Sequence, residues 1–323
     1  MNQTRKIRWL IAHEPVNLFL RTAEAFKAKI AELTDNQYEV EIFTPTQYRE
    51  MNQLEVNQAT PQLDPMLGME AGELEMSQLH ITELAKWHSA DFFALELPFL
   101  FKDHDHCARV LEGPIGKTML ANLQDRSPAT GLAFTYSGGF RCVASDAEIT
   151  SLSDLEGIKF ATTHNPVTID TVEAIGAQAE SFTIQDFITK FKEEGYTADA
   201  LETTIPRYLA QFQDTSKKFL TNTKHNMFLT SIIISNKFLA TLDADTQAKF
   251  NEACLYASRL ERQWSVEDAE KFAADTASQS DLGIAYRELT AEETAELKAK
   301  TAPIVEKYKD FFTAGLVDGI IRS

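Results

Sequence analysis

The chain has 323 residues, more than a single hydrophobic core usually serves, so we expect two lobes or one large α/β domain. Hydrophobic residues make up 44% and charged residues 24%, an ordinary globular composition that excludes disorder as a description of the whole chain. The formal charge of −17 repels phosphate backbones and anionic lipid surfaces, which argues against nucleic acid as a partner.

The chain opens with a β-α-β pattern. Residues 7–11 alternate as in a strand, a helix follows Pro15, and residues 38–42 alternate again, which predicts a parallel sheet with a right-handed crossover. A short strand is predicted from Leu74 and a helix over 105–125. At Gly138-Gly139 the chain must turn tightly or approach something closely.

The second half repeats this organisation. A strand is predicted at 158–161, helices at 166–176 and 184–194, and a buried strand at the β-branched run of residues 232–234. A long helix over about 244–280 would reach across both lobes. The crossings near residues 139 and 222 predict lobe boundaries, with the residues divided as 1–138 plus 222–255 for lobe I and 139–221 plus 256–323 for lobe II.

Three further features limit the chemistry and the cellular compartment expected for this protein. Cys107, Cys142 and Cys254 are widely spaced and form no CxxC pair, which favours buried thiols over a metal or dithiol site. No apolar run approaches the ~18 residues of a membrane span, so we expect no direct membrane insertion. The basic start is followed by an apolar run, 9–12, that is too short for a signal peptide, so an exported form has already lost its leader.

Motifs that would indicate catalysis are missing from the sequence. There is no GxSxG, HExxH, P-loop or GxGxxG, and the histidines are scattered, so we assign no catalytic residue and no cofactor. The run Asp103-His104-Asp105-His106 resembles a metal cluster, but adjacent helical residues do not face one another. We interpret it as a solvated helix start with favourable carboxylates, and we assign no metal ligand.

Arg141 directly follows the glycine pair at the predicted lobe crossing. An arginine there can clamp a carboxylate with two charge-assisted hydrogen bonds. It can equally be a surface arginine in a weak salt bridge. Position alone leaves both interpretations open.

Several short segments of the sequence form a pattern through their order and spacing: residues 39–43 with Gln47, 72–75, 97–101, 139–141, 153–159, 175–177, 199–202, 222–225 and 234–237 with Leu242. Singly these segments are weak, but together they are specific. They resemble the DctP-type solute-binding proteins of tripartite ATP-independent periplasmic (TRAP) transporters, over nearly the whole chain.

The resemblance implies an α/β, two-lobed periplasmic-binding-protein fold, with a mixed sheet in each lobe and a long helix spanning both. It implies a periplasmic receptor, not an enzyme, that captures a small organic acid between the lobes and delivers it to integral membrane TRAP permease subunits. Two alternatives of other classes stay open, an enzyme acting in the cleft and a periplasmic sensor subunit that couples to a receptor.

The chain departs from the family where the ligand is expected. Ala161 stands where the family has an arginine that pairs with the ligand carboxylate, and Thr203 replaces an amide that often touches ligand. Three explanations compete: Arg141 holds a carboxylate alone, residues 162–165 donate to a polar, zwitterionic or uncharged ligand, or Glu14 and Glu202 favour a cation. The residues predicted to contact ligand are His13, Glu14, His80, Arg141, Ala161, Thr162, Thr163 and Thr203.

Overall fold

The computed structural model describes residues 4–12, 15–53, 64–87, 89–183, 186, 190 and 197–323. These residues form two α/β units. Unit 1 comprises residues 1–89, 108–136 and 229–264, and unit 2 comprises residues 90–107, 137–228 and 265–323. Within the described part of the chain, no helix is both long and apolar enough to cross a membrane.

Eleven strands are described. They are β1 (Arg5–Ile11), β2 (Tyr38–Phe43), β3 (Met76–His80), β4 (Ala129–Phe140), β5 (Cys142–Ser145), β6 (Lys159–Thr163), β7 (Gln178–Phe182), β8 (Ala200–Thr203), β9 (Phe219–Asn222), β10 (Met227–Ser235) and β11 (Ala285–Glu288). The α-helices with described bounds are α1 (Val16–Leu33), α2 (Pro45–Met51), α3 (Asp64–Ala71), α4 (Ile81–Trp87), α5 (Asp91–Ala94), α6 (His104–Glu112), α7 (Pro114–Asn122), α8 (Pro166–Ala174), α9 (Ile205–Gln211), α10 (Asn236–Leu239), α11 (Ala244–Ala274), α12 (Thr276–Asp281), α13 (Ala291–Lys309) and α14 (Leu316–Arg322).

Unit 1 is built on a five-stranded sheet in the order β2-β1-β3-β10-β4. β1 is parallel to both β2 and β3, whereas β10 is antiparallel to β3, so the sheet is mixed. The predicted alternation is confirmed, since Ile7, Trp9 and Ile11 enter one core cluster with Phe26 of α1 and Phe250 of α11. The Trp9 and Phe26 ring centroids are 5.2 Å apart, so the aromatic rings of strand and helix are in direct contact.

Unit 2 is built on a six-stranded sheet in the order β11-β9-β5-β8-β6-β7. β5 is antiparallel to β8 and β9, and β6 is parallel to β7 and β8, so this sheet is also mixed. Successive side chains of a strand point to opposite faces of the sheet. In β6, Phe160 and Ala161 belong to different core clusters, so both faces of the sheet are covered here. Ala161 shares its cluster with α9, the helix that carries part of the site described below.

Two predicted helices differ from those observed. The helix predicted over 105–125 is wrong as a single element, because α6 ends at Glu112 and α7 begins at Pro114, whose ring removes an amide donor. The long helix ends at Ala274, earlier than predicted, since Asp275 leaves helical geometry and its side chain caps α12 by accepting from the Ser278 amide. The helix predicted at 184–194 lies largely outside the described residues.

Residues 90–107 belong to unit 2, whereas the predicted boundaries include them in lobe I. Two contacts explain it: the Phe99 amide donates to the His225 carbonyl at 2.6 Å, and a ring nitrogen of His106 lies 2.8 Å from the Ile320 carbonyl. The predicted boundaries themselves stay a prediction. All three cysteines are free and buried, as the spacing predicted.

Gly138 and Gly139 both have positive φ, at +95° and +89°, where any other residue is strained. A Cβ on Gly138 would lie 2.3 Å from Oγ1 of Thr204 and 2.9 Å from Cδ of Pro206, whereas a Cβ on Gly139 would meet only a side-chain atom of His104, at 3.4 Å. Gly138 therefore allows a close approach between β4 and residues 204–206 at the start of α9, one of the two roles that the sequence predicted for the glycine pair.

This geometry predicts unequal effects of alanine at the two glycines. We expect Gly138→Ala to lower the free energy of unfolding by about 2 kcal/mol and Gly139→Ala by about 1 kcal/mol, because only the first adds a steric clash to backbone strain. Urea denaturation of both variants measures the difference. Equal losses would show that the contact with residues 204–206 carries no energetic weight.

Candidate functional site

Arg141 is the cation around which the candidate site is built. It lies between β4 and β5, and backbone hydrogen bonds hold it: its amide donates to the Asn226 carbonyl at 2.9 Å, and its carbonyl accepts from the Lys224 amide at 3.0 Å. The residue is only 1% exposed. Its charge must therefore be balanced inside the protein, because a buried ion without partners is costly.

Two glutamates of unit 2 balance this charge. Nη2 of Arg141 lies 2.5 Å from Oε1 of Glu96, and Nη1 lies 2.8 Å from Oε1 of Glu202. Both carboxylates are buried and accept from neutral donors as well: the Asn165 amide donates to Glu96, and the Thr162 hydroxyl donates to Glu202 at 2.5 Å. Both terminal nitrogens of the guanidinium are thus engaged within the protein.

The pKa of Glu202 shows which form this cluster stabilises. Burial alone raises the pKa, because a charged carboxylate loses its water. The positive charge of Arg141 and hydrogen bonds from His225 and Thr162 outweigh that cost and bring the pKa of Glu202 to about 2. Glu202 is therefore ionised at neutral pH and forms a true ion pair with Arg141.

A second guanidinium approaches the same aromatic ring. Cζ of Arg141 lies 4.2 Å and Cζ of Arg207 4.8 Å from the centroid of the Phe228 ring. Arg207 belongs to the first turn of α9, is 4% exposed, and donates from Nη2 to Oε1 of Gln211 at 3.2 Å. Desolvated cation–π contacts contribute ~2 kcal/mol, so the ring helps to fix both cations.

These side chains line a small cavity within unit 2, which also has aromatic walls. Its volume is about 20 Å³, which suits one water molecule and is too small for an organic acid unless the lining moves. It is lined by Arg141, Thr162, Thr163, Phe182, Glu202, Thr203, Arg207, Phe212 and Phe228.

The structure brings four of the residues predicted from sequence to this cavity: Arg141, Thr162, Thr163 and Thr203. Other predicted residues lie elsewhere: Ala161 is fully buried in a core cluster, and His80 is fully buried in unit 1 at the end of β3. His13 and Glu14 lie outside the described residues. The role of each of these residues in ligand binding stays a prediction.

Sequence reasoning missed Glu96, Arg207 and Phe228 as parts of this site. Glu96 carried a usable signal, because it is a single carboxylate inside the apolar run 94–101, and a buried acid requires a partner. Arg207 and Phe228 carried none, since nothing in their neighbourhoods distinguishes them from an ordinary helical arginine and a core phenylalanine.

The run 103–106 is not a metal site in the structure. His106 is fully buried, its Nδ1 accepts from the Lys102 amide at 3.1 Å, and its Nε2 faces the Ile320 carbonyl, so both ring nitrogens are engaged. The expectation of a solvated helix start is therefore wrong for His106. Among the described residues, no group of three or more histidine, cysteine or acidic side chains could hold a metal ion.

Two larger clefts are less suited to hold a ligand. The cleft in unit 2, of about 330 Å³, is lined by a half-exposed ion pair, Lys224 and Glu288, at 2.9 Å, and by the further charged residues Lys102, Asp103 and Glu270. The cleft in unit 1, of about 600 Å³, is lined by apolar side chains and by Arg262, which is paired with Glu112. The unit 1 cleft also has a buried cation, Arg262, beside the hydroxyl groups of Thr130 and Ser258, whereas the cavity at Arg141 has two buried guanidiniums.

The structure thus has two mixed-sheet α/β units, one of which holds a buried arginine beside a small cavity. The family model for bacterial extracellular solute-binding protein, family 7 (DctP), matches residues 12–310. The chain belongs to this family, whose members are periplasmic receptors that bind small ligands and work with membrane permeases.

Individual relatives agree with this assignment. The C4-dicarboxylate-binding periplasmic protein DctP of Rhodobacter capsulatus is 23% identical over 284 residues, which cover 87% of this chain and 80% of that protein. A TRAP periplasmic solute-binding protein from Ochrobactrum anthropi, with a C-terminus bound in the ligand-binding pocket, matches with a TM-score of 0.80 and 26% identity over 100% of this chain and 95% of that one. The sugar-acid-binding protein DctPAm from Advenella mimigardefordensis, in complex with galactonate, matches with a TM-score of 0.82 and 22% identity over 100% and 98%.

Proposed function

We propose that this protein is a periplasmic TRAP-transporter receptor that binds a small carboxylate-bearing acid at the Arg141–Arg207 cavity and releases it chemically unchanged. The observation that carries the proposal is a buried cavity lined by two guanidiniums and three threonine side chains. Guanidinium forks match carboxylate oxygens, and hydroxyl groups complement a polar ligand body. Relatives that are named for dicarboxylate and sugar-acid binding support the same class of ligand.

The cavity argues against the alternative that a cation is the ligand. Among the described residues that line it, Glu202 is the acidic side chain, and Glu202 already pairs with Arg141 and contacts His225. A cationic ligand would have to displace Arg141 from that carboxylate while facing Arg207. Like charges in a site shielded from water repel strongly, so the arrangement disfavours a cation.

A thermal-denaturation screen of the native protein tests the ligand class. We expect D-galactonate, D-glycerate or succinate to raise the melting temperature, with about 2.7 kcal/mol of added stability at 100 times the dissociation constant. The matched compounds galactitol and glycerol, together with the diamine putrescine, are expected to leave it unchanged. Shifts produced by putrescine or the neutral polyols, and by none of the acids, would overturn the proposal.

Binding without turnover is tested separately. The acid that shifts the melting temperature is incubated with an equimolar amount of protein, and the small-molecule fraction is then analysed by NMR. We expect the ligand spectrum to be unchanged after hours of incubation. A new product that forms in proportion to protein concentration would show that an enzyme acts at this site.

A further inference from the structure

The cleft in unit 1 is elongated and has apolar walls. Five successive residues of β4, the outermost strand of its sheet, line the cleft, which gives it a length of roughly 13 Å at the rise of a strand. Its volume of about 600 Å³ is in the range of sites that hold an organic molecule. The apolar side chains of the lining include Leu111, Leu120, Leu132, Phe134, Leu239 and Leu255. Such walls suit a hydrocarbon chain better than the small polar acid of the proposed function.

Two hydroxyl groups of this lining are already engaged within the protein. Thr130 donates from Oγ1 to Oδ1 of Asn236 at 2.7 Å, and Ser258 donates from Oγ to the Leu255 carbonyl at 2.9 Å. Each hydroxyl group has one hydrogen, so neither has a further proton to donate to a ligand. An apolar chain needs no such donor, whereas a polyhydroxylated ligand does.

One end of the cleft carries excess positive charge. Glu112 accepts hydrogen bonds from Nη2 of Arg262 and, at 2.5 Å, from Nη2 of Arg259. Burial raises the pKa of Glu112, but the two guanidiniums outweigh that cost and hold the pKa below its usual range, so Glu112 is ionised at neutral pH. Arg262 is 7% exposed, and its Nη1 donates at 3.1 Å to the Phe134 carbonyl, an acceptor without a formal charge. One carboxylate thus faces two guanidiniums.

Lys117 adds a third cation near this carboxylate. Its amide donates at 3.1 Å to the carbonyl of Gly113, the residue after Glu112, and its side chain lines the cleft. Among the described residues, no acidic side chain pairs with its ammonium group. Glu252, the other acid of the lining, is exposed to water and lies 3.9 Å from Nζ of Lys29, so its charge is screened. Three cations and one carboxylate therefore form what we call the positive end of the cleft: Glu112, Lys117, Arg259 and Arg262.

We propose that this cleft is a second ligand site, which binds an amphiphilic carboxylate of the medium-chain alkanoic acid class. The hydrocarbon chain lies along residues 130–134 of β4, and the carboxylate lies at the positive end, where it balances the excess charge. Burial of the chain drives binding, and the cations select an acid over other head groups. All of these residues belong to unit 1, so this site is independent of the proposed function, whose cavity is in unit 2.

Calorimetric titration of the native protein with sodium octanoate tests the site. We expect octanoate to bind about 10-fold more tightly than hexanoate, because two more methylene groups leave water. Octylammonium, which has the same chain and the opposite charge, is expected to show no measurable binding, because the positive end repels it.

Two variants locate the bound octanoate. We expect Leu255→Gln, which makes one wall polar, to weaken octanoate binding about 10-fold, and Lys117→Glu, which reverses a charge at the positive end, to weaken it about fivefold. Lys27→Glu is the matched control, because Lys27 lies on α1 of the same unit and does not line the cleft; its affinity should be unchanged.

Several results would overturn the site. No binding of octanoate to the native chain would do so, and so would octylammonium binding as tightly as octanoate, since apolar burial alone would then decide. If folded Leu255→Gln binds octanoate within about twofold of native, the ligand lies elsewhere in the protein. If Leu255→Gln does not fold, the exposed position 117 decides, and native affinity in Lys117→Glu refutes the site. A native chain that sediments as a dimer while Leu255→Gln sediments as a monomer would show that a second copy covers the cleft instead.

Discussion

Replacing Arg141 with methionine is expected to lower the free energy of unfolding by about 3–5 kcal/mol. The substitution leaves Glu96 and Glu202 facing one another in a buried site without the cation that separates them. Two uncompensated carboxylates must then either take up protons or admit water, and both cost stability. Urea denaturation at pH 7, compared with the native protein, measures the loss.

A compensating variant shows whether the loss comes from unbalanced charge. Adding Glu96→Gln and Glu202→Gln to Arg141→Met removes both charges while keeping similar volumes, and we expect it to recover more than half of the lost stability. Arg287→Met is the matched control, because it breaks a partly exposed pair with Glu293 and should cost about 1 kcal/mol or less. No recovery in the triple variant would mean that Arg141 stabilises the fold through packing, for example against Phe228.

We expect the cluster of Arg141, Glu96 and Glu202 to have a structural role. A buried ion cluster gains little net stability over an apolar core, but each member strictly determines the place of the others. Arg141 is held by the Asn226 and Lys224 backbones and by two carboxylates that come from different segments of unit 2. Such a fixed charge distribution suits a receptor, because a site that is ordered before binding loses less entropy when the ligand arrives.

Local patterns were sufficient to predict several of the strands and helices. The alternation at residues 7–11 and the β-branched run 232–234 predicted β1 and β10, because the side-chain period of a strand is recorded directly in the sequence. Where prediction failed, a single residue overrode the pattern. Pro114 splits one apolar helical stripe into α6 and α7, and Asp275 ends α11 although the residues beyond it remain helical.

The site was less predictable than the fold, since it depends on which distant residues meet. Position after the glycine pair made Arg141 a candidate and left its role open. Its partners Glu96 and Glu202 are 45 residues before it and 61 residues after it (141 − 96 and 202 − 141). Resemblance to the family directed attention to Ala161, because that is where a cation was expected. Arg207 could be found only once α9 and β6 were seen to line one cavity.

Glu202 is expected to make the stability of the protein fall steeply in acid. Its pKa is about 2 in the folded protein and near 4.3 in an unfolded chain, so the unfolded state takes up the proton first as the pH falls. The contribution of the ionised group, on the order of 3 kcal/mol, is fully present above about pH 5 and is lost progressively between pH 5 and pH 2. Glutamine at this position imitates the protonated form and has no such dependence.

Comparison of the native protein with Glu202→Gln at two pH values isolates this effect. We expect native to exceed Glu202→Gln by roughly 3 kcal/mol at pH 7 and by about half as much at pH 3, measured by urea denaturation. Glu306→Gln, which removes an exposed carboxylate from α13, serves as the matched control and should differ little from native at either pH. The difference in unfolding free energy between native and Glu202→Gln could instead stay constant from pH 7 to pH 3. That result would show that the pKa of Glu202 is not lowered by folding, and that the ion pair with Arg141 is not what holds Glu202 ionised.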